Sequence, residues 1–141
     1  MRTLRLLAVV IATILLNGCA SVAPQMYVAE TPKLDLYEYF DGRVDAWGYF
    51  ADRSGKVVRR FTVTIEGTIS DGALTLNEQF KYSDGTNSQR VWTIRRSGEN
   101  GYTGTAGDVI GIAQGSAYGN ALQWAYVLSL EVDGQIGRAH V

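Results

Sequence analysis

The chain has 141 residues, enough for one domain rather than two. Its 13 Lys and Arg against 14 Asp and Glu leave a formal charge of −1, with no basic excess to neutralise phosphates, so nucleic acid is not an expected partner. A single Cys excludes an internal disulfide framework and a multi-thiolate zinc site, and the single His, His140, gives no basis for a His-centred triad; neither metal nor cofactor is expected.

Met1 to Arg5 is short and basic, and Leu6 to Leu16 is an apolar run broken only by Thr13. The run is about half of the roughly 20 residues a membrane-crossing helix needs. A basic start followed by a short apolar core describes an export signal. The run ends in Leu16-Asn17-Gly18-Cys19, which resembles the lipobox of bacterial lipoproteins. That resemblance implies cleavage before Cys19, so that residues 1–18 are a signal peptide and Cys19 carries the acyl chains. Several acyl chains suffice for stable attachment to a membrane. Ala20-Ser21, with no Asp directly after the Cys, resembles cargo sorted to the outer membrane. Loss of Arg2 and Arg5 leaves 11 basic against 14 acidic residues, a mature charge of −3. Residues 19–33, with both prolines at Pro24 and Pro32, read as a lipid-anchored linker before the domain of residues 34–134.

Asp35-Leu36-Tyr37-Glu38 has the form of a capping box and predicts a short helical turn to Phe40. From there the period is two. Asp45 to Phe50 places Trp47 and Tyr49 on one face, read as inward. In Val57 to Gly67, Phe61, Val63 and Ile65 share a face. After a turn at Asp71-Gly72, Leu74, Leu76, Glu78, Phe80 and Tyr82 alternate with polar residues. A five-residue loop over 83–87 then leads to Arg90, Trp92 and Ile94 on the next strand. The Gly-rich stretch 102–119 is less regular. Leu122, Trp124, Tyr126, Leu128 and Leu130 mark the last clear strand. Successive one-faced strands predict an all-β antiparallel meander curling into a lipocalin-like barrel, with a two-sheet sandwich as the alternative.

Residues 135–141 read differently. Ile136 to Val141 back-translates as ATC GGA AGA GCA CAC GTC, which resembles a sequencing-library adapter, and a CAG codon at Gln135 would supply the preceding bases. On this reading the natural chain continues past Gly134 and the barrel here is incomplete.

Ordered motifs carry a family resemblance. Tyr39-Phe40-Asp41-Gly42, Ala46-Trp47-Gly48, Asp52-Arg53-Ser54-Gly55, Leu76-Asn77-Glu78-Gln79-Phe80, Tyr82-Ser83-Asp84-Gly85, Arg90-Val91-Trp92, Gly107-Asp108-Val109-Ile110-Gly111 and Gly119-Asn120-Ala121-Leu122 stand in sequence. Together they resemble the uncharacterised proteobacterial lipoprotein family known as domain of unknown function 3833, over roughly Leu34 to Asp133. The family brings no established activity. Its relation to lipocalin-like barrels is analogy, drawn from the meander and the aromatic–glycine opening at Trp47.

Glu78 shares the inward face with Leu76 and Phe80. The five-residue loop sets Glu78 opposite Trp92 and diagonal to Arg90, which predicts either a polar anchor for a ligand head group or an internal ion pair fixing the strands. Asp108, among glycines, reads as a turn residue or as a carboxylate at the cavity mouth. Trp47, Trp92 and Trp124 line an apolar pocket or simply fill a core. Arg59-Arg60 and Arg95-Arg96 are solvated strand ends or contacts for anionic head groups. The leading expectation is a non-enzymatic lipoprotein of the outer membrane, facing the periplasm, that binds or carries an apolar, lipid-like molecule. An envelope assembly protein with a filled core is the alternative, and a lipid-modifying enzyme acting through Glu78 or Asp108 is the third reading.

Overall fold

The computed structural model describes residues 23–52, 54–132 and 135–140, with side chains through Ser129. Cys19 and the predicted signal segment lie outside the described residues.

Eight strands follow one another: β1 (Gly42–Ala51), β2 (Val57–Ser70), β3 (Ala73–Tyr82), β4 (Asn87–Ser97), β5 (Gly101–Thr105), β6 (Val109–Tyr118), β7 (Ala121–Val132) and β8 (Gln135–His140). They form a single sheet in chain order, each strand antiparallel to the next. Among the described residues β1 and β8 do not pair, so the sheet is a curled half-barrel and the sandwich alternative falls away. Gln135–His140, the segment read as adapter-derived, extends the sheet on β7 through its backbone. An open edge accepts any extended chain, because the ladder is made by main-chain groups.

The meander gives the half-barrel two unlike ends. The turns after β2, β4 and β6 lie at one end, and those after β1, β3 and β5 at the other. The first end is plugged by a short helix, α1 (Leu36–Phe40). Asp35 caps it as predicted, accepting from the Tyr37 N–H at 2.9 Å and more loosely from Glu38 at 3.4 Å. Leu36 is only 1% exposed, and the Tyr37 hydroxyl reaches the backbone oxygens of Gly72 and Ile94 at 2.9 and 3.1 Å. Around this plug lies the core, built from Val63, Ile65, Leu74, Leu76, Trp92 and Ile94 on the faces predicted by parity.

Part of the expected linker is docked on the body. Pro24–Tyr27 forms a 3₁₀ turn, and the Tyr27 carbonyl lies where a Cβ on Gly119 would stand. The Leu34 N–H donates to the Gly119 oxygen at 2.7 Å. The segment therefore leaves from the β6–β7 turn, at the plugged end.

Trp47 is a correction. It points outward and is 75% exposed, and the inward positions of β1 are Val44, Ala46, Gly48 and Phe50. The reason is the neighbouring strand. The far end of the Phe61 ring of β2 lies against Gly48, where a Cβ would collide with it. That ring takes the inward space at Gly48, and Phe50 packs against it at 5.3 Å.

Candidate functional site

The open end of the half-barrel holds a concave cavity of about 460 Å³. Its walls are aromatic, chiefly Phe50, Phe61, Phe80, Trp92, Trp124 and Tyr126, and its floor is α1 with Leu36 and Phe40. The rings are engaged with one another. Phe61 meets Phe50 at 5.3 Å and Phe80 at 5.4 Å, while Trp92 meets Trp124 at 5.5 Å and Tyr126 at 5.3 Å, the last two edge to face. Trp124 lies over β5 and β6 because both present glycine there. A Cβ on Gly104 or Gly115 would run into the indole.

Two charged side chains, Glu78 and Arg90, enter this apolar surface, and a third, Asp108, reaches Arg90 from the β5–β6 turn. Glu78 stands directly opposite Arg90 in the β3–β4 ladder, and Phe80 stands opposite Ser88. The predicted diagonal is therefore corrected by two residues. The loop is three residues long, Ser83 to Gly85. The Tyr82 N–H bonds to the Thr86 oxygen across it, and Gly85 takes a φ of 83° that closes the turn with a bulge. A shift of two keeps every side chain on its face and changes only its partner.

The internal Glu78–Arg90 ion pair is corrected as well. The Arg90 guanidinium is held by Asp108, with Nη2 at 2.6 Å from Oδ2 and Nε at 3.0 and 3.1 Å from the two oxygens. This two-point grip ties the β5–β6 turn to the inward face of β4. Burial works against the charge on Arg90, but the hydrogen bonds and charge of Asp108 outweigh it and raise its pKa. Asp108 is thus a partner for Arg90 rather than a simple turn residue. Among the described residues Glu78 belongs to no ion pair within 4 Å. Burial pushes its carboxyl up to about 7, against the smaller opposing effects of the Arg90 charge and a hydrogen bond from Trp92. Burial likewise raises the Tyr126 phenol, which feels both Arg90 and Glu78.

Of the sequence-derived candidates, Glu78, Arg90, Trp92 and Trp124 line one cavity, Asp108 joins them through Arg90, and Trp47 does not take part. Tyr126, Phe61 and Phe80 complete the wall. Their alternation had already put them on the inward faces, but nothing in the sequence showed which inward residues lie over a space and which lie in the core. Of the arginines in the Arg59-Arg60 and Arg95-Arg96 pairs, three engage partners through their guanidinium groups. Arg59 pairs with Asp84 at 2.8 Å near the mouth, Arg96 with Asp35 at 2.8 Å by the plug, and Arg95 donates to the Asp71 carbonyl at 3.2 Å. Among the described residues no group of three or more His, Cys, Asp or Glu gathers as a metal site.

Fold and cavity define a class: an antiparallel β half-barrel, plugged at one end and open at the other, with an aromatic interior. Over residues 13–141 the chain matches the family described as protein of unknown function (DUF3833), and it belongs to that family. No curated protein and no solved structure matches it.

Proposed function

We propose that the protein is a lipid-anchored envelope lipoprotein that binds an apolar, lipid-like molecule in the open end of its half-barrel, tethered through Cys19 to the outer membrane and facing the periplasm. The observation that carries the ligand reading is the cavity itself, about 460 Å³ with a floor and walls of apolar side chains. A site with a few polar groups converging on such a surface is the usual form of a small-molecule pocket. The alternative, an assembly protein without a ligand, expects that space to be filled by side chains. The lipobox-like Leu16-Asn17-Gly18-Cys19 supports the anchor. Cys19 stands four residues before Ala23, and four residues span at most about 14 Å. An acylated Cys19 would hold the plugged end beside the bilayer and leave the mouth facing away from it.

Two measurements test this reading. Protein purified from membranes should carry an extractable apolar molecule visible by native mass spectrometry, and a Cys19→Ser variant should lose both acyl mass and membrane fractionation. An unliganded protein that quenches no tryptophan fluorescence with any long-chain amphiphile would end the carrier reading. Unchanged fractionation of Cys19→Ser would end the anchor reading.

A further inference from the structure

The polar cluster in the cavity has a definite charge pattern. Arg90 of β4 is one cation, and its Nε and Nη2 are already engaged by the Asp108 carboxylate from the β5–β6 turn. Glu78 of β3 is a second carboxylate, opposite Arg90 in the ladder and outside any ion pair. Across the cavity, β7 brings the Tyr126 phenol, and β2 faces Glu78 with Ile65, which carries no charge. One guanidinium thus stands between two carboxylates, and the ionised cluster carries a net charge of −1. An incoming carboxylate would meet two groups of its own sign and a guanidinium already gripped. An incoming cation would find one carboxylate outside any ion pair, beside aromatic rings of which Trp92 and Tyr126 are already faced by Arg90 at 5.9 and 5.8 Å.

Resting on the carrier reading above, we propose that this cluster receives the ammonium head of an amphiphile, with Glu78 as its counter-ion and the aromatic wall around its chain. The ammonium could belong to a simple long-chain amine or to the amine end of a zwitterionic phospholipid, and the same chemistry recognises both. Glu78 pairs with the amine only when ionised. Since its carboxyl titrates at about 7, binding strengthens as pH rises through neutrality while the amine itself stays charged.

The test is a tryptophan-fluorescence titration of the full chain with dodecylamine, dodecanol, laurate and lysophosphatidylethanolamine, each below its micellar concentration, at pH 6 and pH 8. At pH 8 dodecylamine should bind at least about tenfold more tightly than laurate, and its affinity should fall about tenfold at pH 6, following the ionised fraction of Glu78. Dodecanol should bind equally at both pH values. Glu78→Gln should remove the amine preference and its pH dependence while keeping dodecanol binding, which shows that the cavity is intact. Lysophosphatidylethanolamine binding like dodecylamine supports the phospholipid source, and its exclusion supports the simple amine. Laurate matching or exceeding dodecylamine, or an unchanged amine affinity in Glu78→Gln, overturns the head-group assignment and leaves the carrier reading standing. If none of the four binds, both fall.

Discussion

At the plugged end the Asp35 carboxylate is surrounded by donors: the Tyr37 and Glu38 N–H groups and the Arg96 guanidinium at 2.8 Å. Burial alone would lift its pKa, but the bonds from Arg96 and the backbone outweigh that and hold it below the ordinary value. At the open end the Glu78 carboxyl sits among aromatic rings, and burial wins. The same functional group, at the helix cap and on a strand, is shifted in opposite directions. The difference lies in how many donors meet it. One end spends its polar groups on holding the fold together, and the other keeps a carboxyl short of partners where an apolar molecule can enter. An arrangement that costs stability at a cavity is a mark of function rather than of packing.

The strongest way to break this contrast is at the plug. Leu36→Ala should cost about 2–5 kcal/mol in urea denaturation, because the side chain is fully buried and the helix is too short to stand alone. A loss under about 1 kcal/mol would mean that α1 is an accessory and not the floor of the half-barrel. Glu78 comes next, through pH. Its folded pKa lies above the unfolded value of about 4.5, so its stabilising contribution is complete below that value and is lost as pH rises through about 7. Native stability should fall by on the order of 2–3 kcal/mol between pH 5 and pH 8, and Glu78→Gln should flatten that slope and be the more stable protein at pH 8. A native protein that gains stability over this window would contradict the buried, partner-poor carboxyl.

Gly115→Ala sharpens the comparison inside the cavity. The added methyl displaces the Trp124 indole at a cost of about 1–3 kcal/mol, with a shifted tryptophan emission, whereas the same change at the open Gly107 should leave the emission alone. The smallest effect concerns Asp35. Asp35→Asn keeps a capping oxygen and gives up the charge on Arg96, for under about 1 kcal/mol, while Asp35→Ala loses the cap too, for about 1–2 kcal/mol. Because the folded pKa of Asp35 is depressed, its contribution is present above the unfolded value and disappears as pH falls below it. The two carboxylates therefore give the pH–stability curve opposite slopes on its two sides, readable in one series of thermal melts.

Alternation made most of the sheet legible in the sequence. Phe61, Val63 and Ile65, or Leu74, Leu76, Glu78 and Phe80, can lie on one face only if the strand period is two, and they do. The Asp35 cap was legible because the side chain and the N–H groups it serves are three residues apart or fewer. Pairing was not legible to the same degree. A hairpin loop of three residues and one of five leave the same faces inward, so the β3–β4 register turned on where Gly85 adopts its left-handed conformation. Trp47 misled for a different reason. Whether a large residue fits inward depends on what the next strand already places there, and the Phe61 ring over Gly48 is a contact between strands. The Arg90–Asp108 grip joins residues 18 apart across β5 and could not be read from either neighbourhood alone.

The nearest-neighbour order of the sheet also bears on how the chain reaches its fold. Every ladder joins strands adjacent in sequence, so hairpins can zip one after another without first closing a long loop. The exceptions lie before β1: the Leu34 N–H meets the Gly119 oxygen, and α1 also reaches far along the chain. The Tyr37 hydroxyl seeks carbonyls 35 and 57 residues away, and the Leu36 N–H faces the Tyr102 hydroxyl 66 residues away. Those acceptors exist as a site only after β2 to β5 have assembled. The helix, though early in the chain, therefore has its docking site only once those strands stand side by side.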